Sequence, residues 1–225
     1  HIKDPMGVST AVKFVKAFNR LMDITSHRIA FTATPMANYN ENGIRYEKLV
    51  DLPIPNNYRG YDHEKVHYNL VEGRWFKHDG IKDIMESALN NNPNMTCLVN
   101  CENNINKMEK VAEKVRQNHP NMKVVCYHSK NGLKLSDIMN KRHLHDGPYA
   151  IVSCKMAGRA MSFRSTPGNS HHSYIDTFVF NPSKTSSEAN IVQAMRICGC
   201  YDDDIPDFNI FCTPKVHEHI KHSFN

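Results

Sequence analysis

Apolar positions recur at helical spacing near the start of the chain, at Val8, Ala11, Val12, Val15, Phe18, Leu21 and Met22. That period predicts a helix with one buried face. Ser26-His27-Arg28 leads into a strand-like run at 29–33, which stops before Pro35 because proline cannot continue a central ladder. One helix and one strand do not make a domain, so residues 1–50 read as the tail of a lobe that begins further upstream. No regular period runs through 40–75. Leu52-Pro-Ile-Pro-Asn-Asn-Tyr-Arg-Gly60 reads as part of a proline-stiffened connector over 51–76, with Tyr58 and Tyr61 packed on a neighbour.

From about residue 78 the pattern becomes regular. Helical spacing predicts helices over 81–89, 105–116, 135–142 and 188–195. Between them fall apolar runs that predict strands at 96–100, 123–128, 150–154, 177–180 and 208–212. Cys97-Leu-Val, Val124-Val-Cys, Ile151-Val-Ser-Cys and Phe178-Val-Phe are nearly all apolar, as strands buried on both faces must be. Strands alternating with helices imply an α/β domain over 77–214 built on a parallel sheet, with 215–225 as a C-terminal tail.

At 225 residues the chain is long enough to bury a full core. No apolar run approaches the roughly 18 residues a membrane span needs, and the first residues lack a signal-peptide pattern, so the reading is soluble, intracellular and free of membrane partners. Seven cysteines include no C-x-x-C pair, and Cys97, Cys126, Cys154 and Cys212 lie inside apolar runs. The expectation is a reducing compartment with neither disulfides nor zinc. His217-Glu-His-Ile-Lys-His222 is not H-E-x-x-H, because Lys221 stands at the second histidine position, so no metal is expected. A formal charge of +5 with 14 histidines leans toward polyanionic partners without identifying nucleic acid by itself.

Ligands of a doubly wound sheet gather beyond the carboxyl ends of its strands, and the candidate residues are expected there. Thr32 and Thr34 end the first run. His128-Ser129-Lys130 ends the run from 123, and Ser153 opens Ser-Cys-Lys-Met-Ala-Gly158-Arg159 after the run from 150. Gln193-Ala-Met-Arg196-Ile-Cys-Gly199 follows the run at 177–180 and its helix. A guanidinium placed like Arg196 suits phosphoryl transfer, since it can neutralise charge growing on a γ-phosphate. The competing reading of Arg196 is a helix-face arginine in a surface ion pair. For His128, Ser129 and Lys130 it is a polar turn before Gly132.

Thr32-Ala-Thr-Pro resembles the third motif of superfamily-two helicases and translocases, Ser153 to Phe163 the fifth, and Gln193-x-x-Arg196-x-x-Gly199 the sixth. Thr-Ala-Thr-Pro-Met-Ala-Asn38 followed by Leu52-Pro-x-Pro-x-x-Tyr58-x-Gly60 is similar to a subgroup of phage, large-virus and bacterial defence ATPases. The resemblance implies a RecA-like, P-loop-NTPase-type C-terminal helicase lobe preceded by part of the first lobe. It implies Arg196 and Gln193 as catalytic residues and Gly158 and Arg159 as nucleotide contacts. Thr32 and Thr34 would couple the lobes, and His128, Ser129, Lys130 and Ser153 would contact nucleic acid, with DNA ranked ahead of RNA.

The sequence also departs from the family, with the spacing from Gln193 to Arg196 one residue shorter than usual and no Asp-Glu pair before Thr32. The second arginine of the sixth motif should fall near Cys200, and the fifth motif ends in Ala160, Met161 and Ser162 instead of Gly-x-Asp. No G-x-x-x-x-G-K-[ST] loop is present. ATP and Mg²⁺ are therefore expected to be held mainly by the rest of a longer parent chain, and the 225 residues are expected to be inactive alone. Two rivals stay open: a binding module that never meets ATP, and a nuclease drawing on the carboxylates at Asp202–Asp204 and Asp207.

Overall fold

The computed structural model describes residues 56–77, 80–100, 104–128, 130–154, 173–182, 188–201 and 206–224, with Arg20, Pro53, Ser165 and Ser186 as single residues. The chain divides at Pro35 into two units, His1–Pro35 and Met36–Asn225, and the elements below belong to the second. The helix expected at 8–22 and the strand at 29–33 lie outside the described residues, apart from Arg20, which is helical.

In chain order the elements are β1 (Tyr58–Arg59), β2 (Val66–Leu70), α1 (Ile81–Asn91), β3 (Thr96–Asn100), α2 (Ile105–Asn118), β4 (Lys123–Tyr127), α3 (Leu135–Asn140), β5 (Tyr149–Ser153), β6 (Thr177–Phe180), α4 (Glu188–Met195), β7 (Cys200–Tyr201), β8 (Phe208–Cys212) and α5 (Pro214–Phe224). Single 3₁₀ turns occupy Gly73–Phe76, Arg142–Leu144 and Arg196–Cys198. Six strands form one parallel sheet in the order β2-β8-β6-β3-β5-β4. β1 and β7 form a separate antiparallel pair.

Alternation along the strands sorts the core into two layers. Cys97, Val99, Val124, Cys126, Ala150, Val152, Val179 and Phe211 face α1 and α2. Leu98, Ile151, Phe178, Phe180, Phe208 and Ile210 face α3, α4 and α5. Helical period decides which residues meet the sheet: Ile81, Ile84, Met85 and Ala88 on α1, and Met108, Val111, Ala112 and Val115 on α2, are all buried. A buried side chain of the Ile or Met class contributes about 1.5–3 kcal/mol before entropy is counted. Asn104 starts α2 by accepting from the Asn106 and Lys107 amides. Thr213 starts α5 the same way, accepting the Val216 amide at 3.3 Å, with Pro214 in the first turn.

The amino ends of the central strands carry a polar network. Arg142 donates to Thr96 Oγ1 at 2.9 Å and to the carbonyls of His145, Asn94 and Gly147 at 2.8, 3.1 and 2.9 Å. Its guanidinium also lies 5.3 Å over the Tyr149 ring. Asp176 accepts from the Thr96 amide at 3.0 Å and from Thr177 Oγ1 at 2.8 Å. Burial pushes the Asp176 carboxyl up, against those hydrogen bonds and the nearby Arg142 charge.

Two expected boundaries change. The sheet takes in Val66–Leu70 from the stretch read as a connector, and the residues read as a tail form α5, whose Val216 and Ile220 are buried. β2 is an edge strand with only Val66 fully buried, so its sequence lacks the continuous apolar run of a central strand. Among the described residues no helix is long and apolar enough to cross a membrane.

Candidate functional site

The connection leaving β3 runs toward β4, whereas the one leaving β6 runs toward β8. The topological switch point therefore lies between the carboxyl ends of β3 and β6, the place where a doubly wound sheet receives a ligand. Asn100 and Asn181 stand there, half-buried, with the Asn181 amide donating to the Asn100 carbonyl at 2.9 Å.

Two strands along, Tyr127 of β4 pairs with Ser153 of β5, which brings His128 and Ser153 to neighbouring strand ends. Ser153 is buried, and its hydroxyl donates to the Cys154 carbonyl at 2.9 Å. His128 is also buried. Its Nδ1 accepts the Lys130 amide at 3.2 Å, so the hydrogen of the neutral ring sits on Nε2 and is donated to Glu109 Oε1, again at 3.2 Å. Glu109 Oε2 in turn accepts the Cys126 thiol at 3.2 Å. Burial first, then Glu109, pushes that thiol up to about 11, which keeps it protonated and unreactive. Asn131 closes the turn by donating to the Cys126 carbonyl, and Gly132 follows at φ +65°, a left-handed conformation that favours glycine. The His128 ring is thus taken up in shaping a polar turn, and the Lys130 side chain is exposed at its tip. Ser129, Gly158, Arg159, Thr32 and Thr34 lie outside the described residues.

Gln193 and Arg196 are set elsewhere. Gln193 is half-buried on α4, and Arg196 opens the 3₁₀ turn that follows it, with Ile197 and Cys198 buried beneath. Arg196 is exposed, and no ion pair or side-chain hydrogen bond holds it among the described residues. The turn is not at a strand's carboxyl end, which corrects the expected grouping: α4 carries the chain away from Phe180, and the backbone just after Arg196 is tied to the start of β8. That tie is Arg59, which donates through Nε to the Cys198 carbonyl at 2.8 Å and through Nη1 to the Pro206 carbonyl. Its guanidinium lies 5.0 Å over the Phe208 ring.

Sequence reasoning noticed the run containing Tyr58 and the run ending in Gly199, but not that they meet. β1 pairs with β7 through Tyr58↔Tyr201 and Arg59↔Cys200. A side chain at Gly199 would start 2.7 Å from the Tyr58 hydroxyl. The local signal was the glycine itself; its partner lies about 140 residues away in the chain, as the spacing of the Arg59–Cys198 bond shows.

No family model matches the sequence, and no curated protein matches it either. In three dimensions the chain is similar to Dbp5 of S. cerevisiae, solved bound to RNA and ADP–BeF3, with a TM-score of 0.50 and 7% identity over 88% of this chain and 48% of Dbp5. It is also similar to the helicase domain of Hef from Pyrococcus furiosus, with a TM-score of 0.38 and 12% identity over 65% of this chain and 28% of that one, a score too low to argue from. This chain thus spans about half the length of Dbp5. At such identity the likeness speaks for fold alone: an α/β parallel sheet of the RecA-like kind found in helicase lobes.

Proposed function

We propose that this chain is the C-terminal motor lobe of a nucleic-acid-dependent ATPase or helicase. The observation that carries the proposal is an exposed arginine without a partner among the described residues, on a 3₁₀ turn of a RecA-like fold whose next two residues are buried. With no ion pair among the described residues, its guanidinium is available to an anion from outside. Arg196 lies away from the carboxyl ends of β3 and β6, so it would meet the γ-phosphate of an ATP held by another part of the parent protein, with Gln193 one helical turn before it. Bound ATP supplies the phosphoryl group transferred to water. Mg²⁺ would be held, with the phosphates, mainly by other residues of the parent protein. Thr32, Thr34, Gly158 and Arg159 keep the coupling and nucleotide roles that the motifs imply.

Lys130, exposed at the tip of the turn that His128 and Asn131 shape, would contact nucleic-acid phosphates, which fix position and carry little sequence preference. Ser129 would join it. Ser153 supports the strand end, its hydroxyl already donated within the chain. The RNA bound to Dbp5 gives no support to ranking DNA first, so both are assayed. The Thr-Ala-Thr-Pro-Met-Ala-Asn run is similar to that of motors of the phage, large-virus and defence type, which supports placing the parent among them.

The test is Arg196→Ala in the full-length protein, assayed with and without single- and double-stranded DNA and RNA. Stimulated ATP turnover is expected to fall by about 10³–10⁵, the range seen when arginine fingers are removed, with nucleic-acid binding intact. Retained turnover would remove the assignment. A wild-type protein that binds nucleic acid yet never hydrolyses ATP would favour the binding-module reading, which rests on the missing phosphate loop.

A further inference from the structure

We infer that Tyr58 and Arg59 are positioning residues for Arg196, an assignment that rests on reading Arg196 as the group that meets the γ-phosphate. Arg59 is 3% exposed, and a buried guanidinium is tolerated only where acceptors meet it. Two carbonyls that accept from it, those of Cys198 and Pro206, belong to the Arg196 turn and to the residues just before β8. With the ring of Phe208 beneath it, this one cation ties the Arg196 turn to the start of β8.

Tyr58 sets the height of the turn itself. The Gly199 amide closes the turn on the Arg196 carbonyl at 3.0 Å. A Cβ built on Gly199 would stand 2.7 Å from the Tyr58 hydroxyl and 3.0 Å from that same Arg196 carbonyl. The phenol, the bare glycine and the backbone of Arg196 therefore share one tight contact. Glycine at 199 is demanded by this approach, since its φ is an ordinary −61°. Below, Ile197 and Cys198 are buried in the core, so the turn is held from two sides while the Arg196 side chain stays exposed. Orientation of this sort is a large part of phosphoryl-transfer catalysis, where the protein contributes mainly placement and charge.

The experiment measures kcat and KM for ATP in the full-length protein, with Mg²⁺ and either poly(U) RNA or single-stranded DNA. Gly199→Ala is expected to lower kcat toward about 10²-fold, with KM moving less than about twofold, because a shift near 1 Å misplaces the group without removing a binding contact. Adding Tyr58→Phe deletes the oxygen that the new methyl would strike, and it is expected to restore about tenfold or more of the lost kcat. Arg59→Lys keeps the charge but reaches only one of the two carbonyls, so it is expected to lower kcat in the same selective way. Unchanged kcat in a folded Gly199→Ala protein, or no recovery in the double variant, overturns the positioning role. Should Gly199→Ala fail to fold, Arg59→Lys decides: wild-type kcat there overturns it. Arg196→Ala is measured alongside. Full turnover in that variant removes the finger reading and this inference with it, whereas its loss beside a wild-type Gly199→Ala removes only the positioning role.

Discussion

Arg142 and Arg196 each open a 3₁₀ turn at the end of a helix, and their surroundings then separate them. Arg142 meets a hydroxyl, three carbonyls and an aromatic face at the amino ends of β3 and β5. Burial pushes its guanidinium down, countered by Asp176, Tyr149 and Asp146, in that order. Arg196 is exposed, with no such partner among the described residues. The same side chain in the same local setting is thus a structural cross-link in one place and, among the described residues, an unpaired cation in the other. A polar group whose partners all lie within the fold stabilises the fold; one presented without them is available to a ligand.

The comparison breaks first if the two arginines can exchange roles. Arg196→Ala, predicted to cost turnover on the order of 10³–10⁵, should leave the urea midpoint within about 0.5 kcal/mol of wild type, as an exposed substitution does. A marked loss of stability would make Arg196 structural after all. Arg142→Ala is expected to do the opposite and lower stability by about 3 kcal/mol, because Thr96 Oγ1 and three carbonyls lose their donor. Equilibrium urea unfolding measures it, and a change below about 1 kcal/mol would mean that water replaces the guanidinium freely.

Lys130→Ala sharpens the same contrast at the other candidate surface. Binding should weaken evenly across nucleic-acid sequences, and the slope of log affinity against log salt should shrink by about 1. An unchanged slope would take Lys130 out of the phosphate contacts. The smallest effect concerns His119, which ends α2 with Nε2 buried and without a hydrogen-bond partner among the described residues. Burial holds its pKa below the ordinary 6.5, helped by Lys82 and opposed by Glu86, both on the neighbouring α1. The unfolded chain then takes up the proton more readily than the folded one, so this group lowers stability as pH falls through 6.5. His119→Phe should flatten the dependence of the urea midpoint between about pH 7.5 and about pH 5.5. An unchanged slope would show that the ring is protonated without penalty.

Much of the sheet was legible before any coordinates. Thr96–Asn100, Thr177–Phe180, Glu188–Met195 and Phe208–Cys212 fall where hydrophobic pattern alone put them. The other helices and strands expected over 77–214 differ by a residue or two at an end, the helix expected to reach 142 stopping at Asn140 before the Arg142 turn, whereas α5 stands where a tail was expected. β2 was missed because an edge strand with one fully buried residue carries little of the signal that marks a central one. Of the candidate residues, Arg196 and Lys130 are exposed, whereas the buried His128 and Ser153 spend their polar atoms on neighbours within the chain, a difference that no short motif contains.

Local periodicity determined the alternation of helices and strands, and with it the parallel sheet, because burial on one or both faces writes itself into neighbouring positions. Only the tertiary structure decided which polar residues are used up inside. Arg59 reaches Cys198 across 139 positions, and Arg142 reaches Thr96 across 46. Such bonds depend on where strands lie in the sheet order, a quantity that no short window of sequence contains.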